Sequence, residues 1–173
     1  MKKFLIVTIL FVFPLIGFAQ ISRNFWGVTL GKSNKTQVRT ALVNRGYRVQ
    51  TEPDGSLSVN VNNVNFGGAM WTYVSFSFVN GYLSQVWFQN NEHQSPIPVD
   101  NVYEKVKMSL DKKYRHYYYN LPKEDGITWS NYSDSKTHIL LGVRTYHYTR
   151  YVSLCYKDVY LEEKKEQMEN DEL

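Results

Sequence analysis

Cysteine is almost missing from this 173-residue chain: Cys155 is the single one. A disulfide framework is thereby excluded, and the fold has to be held by burial. Cys155 stands inside the strand-like run Tyr151-Val-Ser-Leu-Cys-Tyr156, which predicts a buried thiol. Metal-ligand spacing is missing too. His93, His116, His138 and His147 are not paired at ligand spacing, and no cysteine or carboxylate cluster accompanies them. There is no Gly-x-Ser-x-Gly elbow. Gly31-Lys32-Ser33 ends like a phosphate-binding loop, but the first glycine of that motif would fall on Trp26. Asp54, Asp125 and Asp134 stand in turn-like contexts rather than paired across a cleft. No catalytic residue, metal or cofactor is implied.

Long apolar runs are confined to the beginning. Lys2 and Lys3 are followed by an apolar stretch from Phe4 to Phe18, broken only by Thr8, Pro14 and Gly17, and Gly17-Phe18-Ala19 places small residues at a cleavage site before Gln20. That is the layout of a secretory signal peptide. The run is shorter than the about 20 apolar residues of a transmembrane helix. The expectation is a signal peptide over 1–19 and a mature chain, periplasmic or secreted, with no membrane span after cleavage. No cysteine lies near the cut to carry a lipid.

The mature length suits one domain. The formal net charge is +4, and Lys2 and Lys3 leave with the signal peptide. Segment 162–173 concentrates Glu162, Glu163, Glu166, Glu169, Asp171 and Glu172 against Lys164 and Lys165, leaving a basic excess upstream. Those upstream lysines are dispersed, whereas a nucleic-acid binder clusters them on one face. With export, this argues against nucleic acid as a partner.

Two helices are predicted. The first starts after Ser33-Asn34, with Asn34 and Gln37 as a capping box and Val38, Ala41 and Leu42 as its apolar stripe, and ends at Gly46. The second runs from about Asp100 to Tyr114. Val99, Val102, Tyr103, Val106 and Leu110 fall at helical spacing, and Asn101 with Glu104 reads as its capping box. Glu52-Pro-Asp-Gly55 is a turn, and Asn80-Gly81 marks a two-residue hairpin pairing Val79 with Tyr82, Ser75 with Val86 and Tyr73 with Phe88. The other face would then carry Val74, Phe76, Phe78, Leu83 and Trp87. Further strands are expected at 47–52, 57–66, 127–131, 137–144 and 149–158. The fold class is α+β: two tandem helix-plus-antiparallel-strand modules, about 24–95 and 96–161, with helices packed on one face of the sheet. They form a single domain over 20–161, joined at Pro96-Ile97-Pro98, and 162–173 is expected as a charged tail, a frayed helix or disordered.

Phe25-Trp-Gly-Val-Thr-Leu-Gly31, followed by a capped helix ending in Gly46-Tyr47, resembles the opening of small exported bacterial α+β modules. These are the β-lactamase-inhibitor-protein-like domains and the small outer-membrane-assembly lipoproteins. Leu110-Asp-Lys-Lys-Tyr114 is similar to the continuation of their second half. The lipid-attachment cysteine of the lipoproteins is missing. The resemblance implies a non-enzymatic protein that binds another macromolecule in the envelope.

Aromatic residues are abundant, with 14 tyrosines. The hairpin pattern sets Trp71, Tyr73, Tyr82 and Phe88 on one sheet face, and Tyr117-Tyr118-Tyr119 and Tyr146-His147-Tyr148-Thr-Arg-Tyr151 form further groups. Such side chains stabilise sheets through cross-strand pairs, and they also suit recognition because they lose little entropy when held. The candidate binding residues are therefore Trp71, Tyr73, Tyr82, Phe88, Tyr117 and Tyr119, for a protein or peptide in the envelope. A glycan is the alternative, with Asn65, Gln85 and Gln89 as hydrogen-bonding neighbours. An envelope enzyme with a spatially assembled site is the third reading.

Overall fold

The computed structural model describes residues 20–119 and 127–171, with backbone alone at 60–63. The expected signal segment and Asp125 lie outside the described residues. The chain is α+β, combining helices with an antiparallel sheet. β1 (Asn24–Phe25) and β2 (Val28–Thr29) form a small hairpin and lead into α1 (Lys35–Val43). Then come β3 (Val49–Thr51), β4 (Leu57–Phe66), β5 (Ala69–Val79) and β6 (Tyr82–Asn91). α2 (Val99–Tyr114) and a 3-10 turn at Arg115–Tyr117 precede β7 (Tyr118–Tyr119), β8 (Ile127–Ser133), β9 (Thr137–Tyr146) and β10 (Thr149–Asp158). α3 (Val159–Asp171) follows directly. The eight longer-range strands pair in the order β3-β4-β5-β6-β10-β9-β8-β7, so the short strands β3 and β7 form the edges.

The α1 capping box forms as expected: the Asn34 side chain accepts the Gln37 amide and Gln37 returns a bond to the Asn34 amide, both at 2.9 Å. At its other end Gly46 has φ 81° and the Tyr47 amide reaches back to the Leu42 carbonyl, closing the last turn. α2 starts one residue earlier than expected and differs at its cap. Pro98 holds the cap position, and no side chain caps the helix. Asn101 lies inside the first turn, its own amide already bonded to the Pro98 carbonyl, so the Asn101–Glu104 box does not form. Proline supplies a suitable φ and has no N–H to satisfy.

The hairpin at Asn80-Gly81 has positive φ at both residues, 49° and 81°. Val79 pairs with Tyr82 as expected, but the register then shifts by one residue between Ser77 and Phe78, and Ser84 is left over. Beyond this bulge Ser75 pairs with Trp87, Val74 with Phe88 and Tyr73 with Gln89. Because side chains alternate with period two, a one-residue slip exchanges the faces of everything beyond it. Phe88 therefore enters the core and Trp87 takes the opposite face, the reverse of the sequence-based expectation.

Two buried rows cross the sheet on the core side. Val59, Val74, Phe88, Leu154 and Leu141 form one; Leu57, Phe76, Val86, Tyr156, Ile139 and Tyr132 form the other. Val38 and Leu42 of α1, and Val102, Val106 and Leu110 of α2, belong to the same buried cluster. Aromatic rings fill its centre, with Phe66 stacked on Phe88 at 4.5 Å and Phe25 edge-on to Tyr156 at 4.9 Å.

Candidate functional site

The opposite sheet face carries a different set of side chains. One row reads Ser58, Ser75, Trp87, Cys155, Leu140 and Asn131; the next reads Tyr73, Gln89, Ser153, Gly142 and Trp129. The small residues let large rings lie flat. A Cβ at Gly142 would collide with the Trp129 indole, which covers that glycine from the neighbouring strand. The Arg144 guanidinium stands 5.8 Å from the centre of the Trp87 ring.

On this face lies a groove of about 940 Å³. Its floor is built by β5 and β6, with Tyr73, Ser75, Ser77, Gln85, Trp87 and Gln89. One wall is the turn before β4, presenting Glu52 and Asp54; the other is α3, presenting Glu162, Lys165, Met168 and Glu169. α3 shows little apolar stripe in sequence because the side it turns to the groove is itself mostly charged. Segment 162–173, expected as a frayed helix or a disordered tail, is helical as far as Asp171.

The floor offers rings and hydrogen-bonding groups together. The Trp87 indole N–H is buried and has no acceptor among the described residues. Burial pushes the Tyr73 phenol above its ordinary value, and the negative charges of Glu52 and Asp54 push it further. Asp54 is held below the usual carboxylate range chiefly by the Ser56 amide and hydroxyl. Glu52 accepts the Ser58 hydroxyl. On the α3 wall, Glu162 is paired with Lys157 at 3.5 Å and Glu169 with Lys165 at 3.7 Å.

Of the six residues singled out from sequence, only Tyr73 lines the groove. Trp71 and Phe88 are fully buried, so the shared aromatic face of Trp71, Tyr73, Tyr82 and Phe88 does not form. Phe88 is inverted by the Ser84 bulge. Trp71 is redirected because the regular β5–β6 pairing ends at Tyr73 and Gln89. There the Thr72 amide bonds the Asn90 side chain instead of a backbone carbonyl, and the Trp71 indole N–H finds the Phe66 carbonyl at 2.9 Å. Tyr82 is exposed at the start of β6, away from the groove. Tyr117 packs against the core cluster, and Tyr119, on the far edge strand, shares a hydrogen bond with His138. Burial, assisted by Lys157, lowers the His138 pKa.

Trp87 is the residue sequence reasoning placed on the wrong side; Asp54 was read only as a turn residue, and Glu52 and the α3 side chains carried no signal for the site. Gln85 and Gln89, expected as polar neighbours, do lie on the groove floor, whereas Asn65 does not. Cys155 is buried beside Trp87, and desolvation pushes its thiol up to about 12. Among the described residues no group of three or more His, Cys, Asp or Glu is placed to hold a metal ion, and no helix is long and apolar enough to cross a membrane.

The fold and groove define an α+β domain with a polar, aromatic-floored cleft on one sheet face. Comparison with family models, with curated proteins and with solved structures yields no match to this chain.

Proposed function

We propose that the chain is an exported, non-enzymatic binding module of the β-lactamase-inhibitor-protein-like type, taking an extended segment of a protein partner in the envelope. The observation that carries this reading is the groove on the sheet face. It has the volume of a ligand site, two walls, and a floor where Trp87 and Tyr73 alternate with hydroxyl and amide side chains. Rigid rings supply contact area at low entropic cost, while serines and glutamines can follow a peptide backbone. The tandem arrangement belongs to the same proposal. Helix followed by four strands occurs twice in the chain, and the halves adjoin where β6 pairs with β10. Apolar residues of α1 and α2 share one buried cluster, which favours packing of both helices on the face away from the groove.

Selection of peptides from a displayed random library tests the reading. Sequences enriched on the wild-type protein should be lost on a Trp87→Ala, Tyr73→Ala variant that keeps its circular dichroism spectrum. Equal enrichment on both would move the site elsewhere. A carbohydrate ligand is the second reading, favoured by Gln85 and Gln89 flanking Trp87 on the floor. A glycan array with Trp87-dependent hits, and a peptide selection without them, would replace the first reading by the second.

A further inference from the structure

Charge is unevenly compensated along the groove. Among the described residues four carboxylates line it, Glu52, Asp54, Glu162 and Glu169, against the single ammonium of Lys165. The two on α3 have their own counter-ions in Lys157 and Lys165. Glu52 and Asp54 have no ion-pair partner among the described residues. The Lys35 ammonium acts on Asp54 through space and is bonded to the Gly55 carbonyl at 2.5 Å.

These two acids are also held in place. The Ser58 hydroxyl bonds Glu52, and Asp54 accepts the Ser56 amide at 2.9 Å. The half-buried ring of Tyr73, on β5 across from Gln89, lines the same groove as the two carboxylates. A cation seated there meets two fixed carboxylates and an aromatic ring, each of which favours positive charge.

Resting on the reading of the groove as a peptide site, we infer that its occupant is cationic: an extended peptide that places a lysine or arginine between Glu52, Asp54 and the Tyr73 ring. Acidic segments are repelled by the same pair. A neutral sugar would leave both charges uncompensated, and so the unpaired carboxylates favour the cationic peptide over the glycan. On a chain whose formal charge is +4, a local acidic cleft also separates this surface from the rest and orients a basic partner as it approaches.

Calorimetric titration with three synthetic peptides tests the inference: alternating Lys-Ser, alternating Glu-Ser, and alternating Gly-Ser. The Lys-Ser peptide should bind and the Glu-Ser peptide should not. Combining Glu52→Gln with Asp54→Asn, which preserves the hydrogen-bond acceptors, should weaken Lys-Ser binding by roughly tenfold. Raising salt should weaken binding to the wild-type protein and leave the double variant little changed. Lys165→Glu, which adds negative charge on the opposite wall, should tighten it. Equal binding of all three peptides, or undiminished Lys-Ser binding to the double variant, overturns the inference. If Gly-Ser binds equally and Trp87→Ala abolishes it, the charge preference falls while the groove stands. If Lys-Ser binding survives both Trp87→Ala and Tyr73→Ala, the groove reading falls with it. Binding of no peptide at all overturns the inference as well.

Discussion

Arg23 and Asp158 form an ion pair that ties the segment before β1 to the last residue of β10, and the other oxygen of the same carboxylate accepts the Leu161 amide at 2.8 Å, capping α3. The pair sits over Gly31, whose φ is 78° and where a Cβ would meet both side chains. Arg23 also donates to the carbonyls of Leu30 and Lys136. One carboxylate thus anchors the start of the fold and the helix that walls the groove.

Removing it has two consequences. Asp158→Ala leaves the Arg23 charge unmatched and α3 uncapped, and should cost about 3 kcal/mol or more of stability. Asp158→Asn keeps a cap acceptor and should cost less. Urea unfolding of the two variants measures the difference, and the alanine variant should also lose groove binding as α3 frays.

Trp87 and Phe88 are adjacent in sequence and opposite in role. Phe88→Ala removes a ring in contact with Phe66, Trp71 and Phe25, and should destabilise by about 3–5 kcal/mol. Trp87→Ala should cost markedly less stability while removing ligand binding. Equal losses in thermal unfolding would contradict the placement of the two faces.

Gly142 is required by the Trp129 indole that lies over it. Gly142→Ala forces that ring off its seat and should cost about 1–3 kcal/mol. The penalty should shrink when Trp129 is first changed to Val. A double-mutant cycle on urea midpoints reads this coupling directly.

Cys155 should be inert in the native state. Its folded thiol is pushed up to about 12, whereas an exposed one titrates near 9.0. Between those values the unfolded chain loses a proton that the folded chain keeps, so stability is full below about pH 9 and falls as pH rises toward 12. Burial raises the phenols of Tyr132 and Tyr156 as well, which steepens the alkaline decline. A disulfide reagent at mildly alkaline pH should leave the folded protein unmodified and label it on addition of urea. Rapid labelling without denaturant would contradict burial.

The β9–β10 hairpin turns through His147 and Tyr148 with φ 45° and 62°, a conformation that suits Asn-Gly far better. Tyr148 is 98% exposed, so no burial offsets that strain. Combining His147→Asn with Tyr148→Gly should stabilise the fold by about 1–2 kcal/mol and raise Tm. A lower Tm would show that the two side chains contribute packing at the tip.

Much of the scaffold was legible because its signals are local. Asn34 and Gln37, Gly46, the spacing of Val102, Val106 and Leu110, and Asn80-Gly81 each specify a turn or cap within a few residues. The groove was not legible, because it depends on where a strand departs from regular alternation. Ser84 is an ordinary strand residue with nothing to mark it as surplus, and yet it decides that Trp87 and not Phe88 faces out. Thr72 does the same for Trp71 through a side-chain bond to Asn90, eighteen positions away. The place of α3 as a groove wall was hidden for another reason. Amphipathic pattern reports burial against a core, and only Leu161 of that helix is buried.

Among the described residues the edge strands of the sheet are three and two residues long, and β4 breaks register between Asn60 and Val64 where β3 no longer covers it. A neighbouring molecule that came to extend the sheet would find too little straight backbone to pair with. Growth sideways into ribbons or fibrils is thereby discouraged, even though the chain is rich in tyrosine and strand. Under the proposed reading, a partner meets the cleft rather than the edge.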